Sequence, residues 1–206
     1  MKLLPILGLL AIAGAARAGL PSPANSTIPS QIPVVGLYGA QPDTLTGAVE
    51  VIVRDIANNV VPNSLVTLDF STAPEVHLAT DMHAAGVSVD CGTHRVSKYT
   101  DAAGRARFTI VGYGSGLTAQ PGALRAVIYE SGHLLGWAPV VIYDLDGFGG
   151  MAANDASLWL HDFGALENAG RGDYDNTGSL GANDLSVWLT TFGRLGSAES
   201  ATSVCP

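Results

Sequence analysis

Two stretches of this chain repeat one another 29 residues apart, and no other feature restricts the possible fold as much. The string DLDGFGGMAAND (144–155) runs into ASLWLHDFG (156–164). DYDNTGSLGAND (173–184) runs into LSVWLTTFG (185–193). Eleven of these 21 positions are identical, which makes this a duplicated unit rather than a chance match. The C-terminal third must therefore be a pair of similar loop–helix pieces, and the short apolar content of each leaves neither able to bury its own face alone.

The first twelve residues of each repeat carry oxygens at the spacing a calcium loop needs. A hard cation takes about six to eight oxygen ligands, and a twelve-residue loop supplies them from positions 1, 3, 5, 7 and 12, with Gly at 6 for the sharp turn. The second loop has Asp173, Asp175 and Thr177 at positions 1, 3 and 5, Gly178 at 6, the Ser179 carbonyl at 7 and Asp184 at 12. The first has Asp144, Asp146, Gly149 at 6, the Gly150 carbonyl at 7 and Asp155 at 12. Phe148 stands at its fifth position and has no side-chain oxygen, so the first site is expected to be the weaker of two Ca2+ sites. Leu180, at position 8, is apolar as pairing of two such loops requires.

Each loop leads into one helix. Asn154 and Asn183 read as N-caps, with Asp155 and Asp184 favourably placed in the first turn. Leu158, Trp159 and Phe163, and then Val187, Trp188 and Phe192, form an apolar face, and Gly164 and Gly193 read as C-terminal stops. The two Trp residues are expected in the core. Asp144–Pro206 holds nine acidic residues against Arg171 and Arg194, and six of the nine fall on ligand positions. Carboxylates that close repel unless a cation neutralises them.

A loop followed by a single helix, twice, with Asp rather than Glu at position 12 and no helix before either loop, resembles the type I dockerin. The resemblance covers about residues 143–193. It implies a calcium-dependent module that docks a secreted protein onto a cohesin in polysaccharide-degrading assemblies. In that family positions 10 and 11 read the partner, often as a Ser/Thr pair. Here they are Ala153-Asn154 and Ala182-Asn183, a departure that still leaves a twofold-related surface.

Residues 34–143 read as β throughout. Val49, Val51 and Val53 alternate with Glu50 and Arg54; Val66, Leu68 and Phe70 with Thr67 and Asp69; Ala106, Phe108 and Ile110 with Arg105, Arg107 and Thr109. A period of two puts one set inward and the other in water. Turn clusters at Ala57-Asn58-Asn59, Pro62-Asn63-Ser64, Asp101–Gly104 and Gln120-Pro121-Gly122 separate the runs, and further strands are expected at 34–40, 75–80, 95–100, 124–129 and 137–143. Strands at this spacing suggest a sandwich. The segments 51–67 and 99–109 resemble the strand–turn–strand corners of bacterial immunoglobulin-like domains. The expected architecture is thus mainly β with a small α unit: an immunoglobulin-like β-sandwich, then a dockerin-like pair of calcium loop–helix motifs.

The flanks complete the organisation. Residues 1–18 read as a signal peptide: Met1-Lys2, an apolar run from Leu3 to Gly14, and Ala16-Arg17-Ala18 before the cleavage point. That run is short of the roughly 20 residues of a membrane span. A secreted, extracellular or cell-surface bacterial protein follows. Residues 19–33 carry Pro21, Pro23, Pro29 and Pro33 and read as an extended linker or loosely docked tail, and 194–206 as a C-terminal tail. In an exported chain two cysteines, Cys91 and Cys205, invite a disulfide, although spacing alone also allows two free thiols.

A net charge of −8 argues against nucleic acid as partner. The five histidines are scattered; His77, Asp81 and His83 form only a weak cluster, and Gly112–Gly116 reads as a flexible loop between strands. No nucleophile elbow or phosphate-binding loop is present. The expected function is therefore binding without catalysis, an adhesive or scaffold domain joined to a docking module for a cohesin-like or other extracellular protein. The alternatives are a carbohydrate-binding accessory protein using exposed Tyr38, Tyr113 or Trp137, and a small hydrolase of a polysaccharide-degrading system.

Overall fold

The computed structural model describes residues 19–116, 124–165 and 170–206; residues 1–18, read as a signal peptide, Gln120-Pro121-Gly122, read as a turn, and Glu167 lie outside them. The fold is mainly β with a small α part. Eleven strands run in chain order: β1 (Ile32–Val35), β2 (Leu37–Tyr38), β3 (Gln41–Pro42), β4 (Ala48–Ile52), β5 (Leu65–Asp69), β6 (Val76–Leu78), β7 (Val87–Asp90), β8 (Arg95–Tyr99), β9 (Arg105–Gly114), β10 (Arg125–Glu130) and β11 (His133–Ile142). A short helix, α1 (Thr44–Gly47), precedes β4, and the C-terminal third contributes α2 (Ala153–Ala165) and α3 (Ala182–Gly193).

Strand order is β4-β9-β1-β11-β10-β5-β8-β7, with β6 also on β9 and β2–β3 a separate ribbon. The two ten-residue strands hold the arrangement together. β9 pairs with β4 through Arg105–Thr109, with β1 at Ile110 and Val111, and with β6 through Gly112–Gly114. β11 pairs with β10 up to Pro139 and with β1 from Val140. β1 is parallel to both its neighbours, and its near-continuous burial is what a strand enclosed on both faces requires. β8 leads into β9 through a tight turn, in which Gly104 N–H bonds the Asp101 carbonyl and Asp101 N–H the Arg105 carbonyl, both at 2.9 Å. Period-two alternation places the core: Val49, Val51, Val66, Leu68, Ala106, Phe108 and Ile110 all point inward.

Four elements differ from the sequence reading. The run read as one strand from Val34 divides at Gly36, where a Cβ would overlap the Glu199 carbonyl; beyond it Leu37 pairs with the C-terminal segment instead of the sheet. Gly112–Gly116 is no loop: its first three residues end β9, and the missing side chains let His77 and Leu145 approach the backbone. The stretch read as a linker lies against β4, with Thr27 and Ile52 exchanging backbone hydrogen bonds of 2.8 and 2.9 Å and Ile32 fully buried. The tail is similarly seated, Cys205 N–H on the Leu78 carbonyl and its sulfur bridged to Cys91.

The helical third shares the β core. Trp159, Trp188, Tyr174 and Leu180 belong to one apolar cluster with the inward faces of the strands. The Tyr174 hydroxyl donates to the Ile142 carbonyl at 2.8 Å. Arg171, buried to 1% exposure, holds Asp162 through two bonds of 2.7 and 3.0 Å and reaches Glu75, beside β6, at 3.3 Å.

Candidate metal centre

β11 delivers the chain into the first loop, and the end of β9 supports it. Gly114 N–H bonds the Asp144 carbonyl and Gly116 N–H the Leu145 carbonyl, both at 2.8 Å. The turn at position 6 has φ of 80° at Gly149 and 88° at Gly178, the left-handed region where only glycine is unstrained. Position 4 is left-handed in both loops as well, at Gly147 (72°) and Asn176 (57°). The duplicated sequence thus becomes a duplicated backbone path.

The carboxylates converge as their spacing implied. In Asp144, Asp146 and Asp155, one ligand oxygen from each lies within 4.8 Å of the others, and the same holds for Asp173, Asp175 and Asp184. Among the described residues no other group of three or more His, Cys, Asp or Glu side chains meets that condition. In the second loop Thr177 Oγ1 donates to the Ser179 carbonyl at 3.3 Å, so its two neutral oxygens lie beside each other. At the first loop Phe148 is exposed, and Gly150 presents its N–H to Ser200 Oγ.

Asp155 and Asp184 also start their helices. Asp155 accepts from Leu145 N–H at 2.6 Å and Ala152 N–H at 2.7 Å; Asp184 accepts from Asp175 N–H at 3.0 Å and Gly181 N–H at 2.8 Å. The N-cap of α3 is Gly181, and Asn154 and Asn183 lie inside the first turn as the second residue of each helix. They are not the caps expected, because the position-12 carboxylate reaches back and satisfies the open N–H groups itself. Nor do the glycines stop the helices: α3 includes Gly193, its cap is Arg194, and the left-handed residue is Leu195.

Burial controls the electrostatics. It pushes the Asp155 carboxyl up to about 7, with the Asp144 and Asp146 charges adding to the effect. It likewise raises Asp144 and Asp184. Half-buried Asp175 is held below its ordinary value by the Thr177 hydroxyl and backbone. Three carboxylates removed from water beside other carboxylates are costly to ionise unless a cation joins them. An all-oxygen donor set of this charge is what a hard divalent ion binds.

The two repeats are locked crosswise. Trp159 Nε1 donates to the Gly172 carbonyl at 3.2 Å, and Trp188 Nε1 donates to the Tyr143 carbonyl at 3.3 Å. The 29-residue shift converts one bond into the other. Each helix therefore anchors the residue just before the opposite loop. Both indoles are buried, as expected, while Phe163 and Phe192 are half exposed and stack on them at 5.6 and 5.4 Å. Met151 and Leu180, at position 8, are buried, but the Met151 N–H bonds the Ser197 carbonyl of the tail rather than the second loop.

Ala153, Asn154, Ala182 and Asn183 are all exposed. Two turns or more further along, Leu160 and Phe163 on α2 repeat as Leu189 and Phe192 on α3, each between 42% and 53% exposed. Of the aromatics considered for sugar stacking, Tyr113 lies against His77 and beneath Gly147, and Trp137 carries the Arg125 guanidinium 4.0 Å from its ring centroid. Tyr38 belongs to the separate β2–β3 ribbon and is exposed. His83 lies 3.9 Å from Asp81, whereas His77 is engaged with Tyr113. Sequence reasoning missed Arg171 and Ser200, since nothing in the local pattern of either marks its partner. No helix among the described residues is long and apolar enough to cross a membrane. No family model matches this chain, and no curated protein matches it in sequence.

Proposed function

We propose that this chain is an exported, non-enzymatic calcium-binding protein that acts by docking to another extracellular or cell-surface protein. Its strands form an immunoglobulin-like sandwich serving as scaffold, and its C-terminal third is a dockerin-like pair of Ca2+ loops. The observation that carries the reading is the pair of acidic triads related by the 29-residue repeat, each with its ligand oxygens within 4.8 Å. Asp144, Asp146, Asp155 and the Gly150 carbonyl would hold one ion. Asp173, Asp175, Thr177, Asp184 and the Ser179 carbonyl would hold the other, more tightly because Thr177 supplies the oxygen that Phe148 lacks. The bound ion supplies positive charge that lets the buried carboxylates stay ionised.

The docking surface is the exposed start of the two helices, Ala153-Asn154 and Ala182-Asn183, continued by the repeated Leu160/Phe163 and Leu189/Phe192 pairs. Small residues admit a close partner surface, Asn amides donate and accept, and half-exposed aromatics supply apolar contact. A cohesin-like protein of a polysaccharide-processing assembly is the partner class that the resemblance implies.

Calcium titration of the mature chain by calorimetry tests the reading. Two unequal sites are expected, with Asp173→Ala abolishing the tighter. Absence of binding heat with a thermal midpoint unchanged by excess EDTA would overturn it, as would turnover of polysaccharide or ester substrates.

A further inference from the structure

We infer that the C-terminal segment is part of the first metal site, with Ser200 the positioning residue that sets Asp144 for a divalent cation. This rests on the calcium reading above and adds an element from outside the repeat. The comparison of the two loops carries it. In the second loop both oxygens of Asp173 are held from within: Thr177 N–H donates to Oδ1 at 2.9 Å and Gly178 N–H to Oδ2 at 2.8 Å. In the first loop only one oxygen of Asp144 is held that way, Oδ1 by Gly147 N–H at 2.8 Å. Ser200, 56 residues downstream, donates its hydroxyl to Oδ2 at 2.6 Å and accepts from Gly150 N–H at 2.8 Å. The tail does for the first loop what the second loop does for itself. It does so beside the loop whose fifth position, Phe148, has no oxygen to offer.

The hydroxyl is placed by a firmly seated strap. Met151 N–H bonds the Ser197 carbonyl at 2.8 Å, Leu37 and Glu199 exchange bonds of 2.7 and 2.9 Å, and Thr80 N–H bonds the Ser203 carbonyl at 3.0 Å. The Cys91–Cys205 bridge closes its far end. A side chain at Gly150 would overlap the Ala198 carbonyl, so this glycine is what lets strap and loop touch. A group that orients a metal ligand without binding the ion changes affinity by fixing the ligand's rotamer before the ion arrives. Among the described residues, Ser200 is the side chain that donates to Asp144.

The test is calcium calorimetry on the full mature chain, with the sites separated by background: Asp175→Ala isolates the first and Asp146→Ala the second. Ser200→Ala is expected to weaken the first site about 10-fold or more and to leave the second unchanged. Ser200→Thr, which keeps the hydroxyl, should restore the first. Unchanged first-site affinity in Ser200→Ala, or equal losses at both sites, would overturn the inference while leaving two-site calcium binding intact. If the unmodified chain takes up no calcium at either loop, the underlying reading fails and this one with it.

Discussion

Replacing Arg171 by Met separates the contribution of its charge from that of its bulk. The guanidinium lies at 1% exposure against an Asp162 equally buried, with Glu75 at 7% on its other side. Met keeps much of the volume but leaves two carboxylates in the interior without that cation. Breaking a buried pair in this way costs about 3–5 kcal/mol, because the carboxylates left behind are out of water and have lost the guanidinium. In a chain of this size about 1 kcal/mol moves the midpoint by roughly 2–4 °C, so the expected loss is on the order of 10 °C. Urea unfolding, followed by tryptophan fluorescence and by far-ultraviolet circular dichroism, reads both parts of the molecule. Trp159 and Trp188 report the helical part and Trp137 the strands, and the dichroism follows the backbone order of both. Glu75 belongs to the β part and Asp162 to α2, so the two signals should shift together. Adding Asp162→Asn should recover part of the loss, since a neutral amide needs no counter-charge; a double-mutant cycle measures how much. A single variant within about 1 kcal/mol of the parent would refute the reasoning and place the pair in contact with water.

Three further outcomes are expected. Without calcium, stability should fall between about pH 4 and pH 7. Asp155, raised by burial from its ordinary 3.8 to about 7, keeps a proton in the folded state that the unfolded chain gives up, so its contribution is whole at low pH and lost as pH rises through 7. The change is on the order of 2 kcal/mol once solvent screening is allowed for, and saturating calcium should abolish it; a rise in metal-free stability over that interval, measured by denaturant titration, would contradict this. Removing the bridge across 114 residues with Cys91→Ser and Cys205→Ser should cost about 4–5 kcal/mol by loop entropy, and an unchanged urea midpoint would show that the folded tail contributes nothing. Trp188→Ala should cost about 3–5 kcal/mol through lost packing, and the matching Trp159→Ala should cost a similar amount, because the two occupy equivalent positions; unfolding curves differing by more than about 2 kcal/mol would argue against the crosswise arrangement.

Much of this molecule was legible from local pattern. Alternation located β4, β5 and the first half of β9, since a strand with one face in the core records that face at every second position, and the runs between turn clusters placed five more strands to within a few residues. The 29-residue repeat located both loops, both helices and the clustered carboxylates, because oxygens carried at fixed offsets on a twelve-residue loop are brought together. What failed locally was capping: Asn154 and Asn183 are good cap residues by type, yet Asp155 and Asp184 reach back to the preceding N–H groups and displace them. Gly112 and Gly114 were misread for a related reason. Glycine signals flexibility only where nothing approaches it, and here His77 and Leu145 do.

The sequence by itself determined the repeat, the acidic triads, the strand periodicity and the burial of both tryptophans, all properties written into spacings of two, four or twelve residues. Only the tertiary structure decided that residues 21–27 lie along the end of β4 and the residues just after it, that Arg171 bridges α2 to the β part, that each Trp anchors the opposite repeat, and that Ser200 reaches Asp144. These contacts join residues from 13 to 96 positions apart. A lone serine or arginine with a distant partner leaves no period to read; its role exists only once the chain has closed and the buried donor must find the acceptor that compensates for lost water.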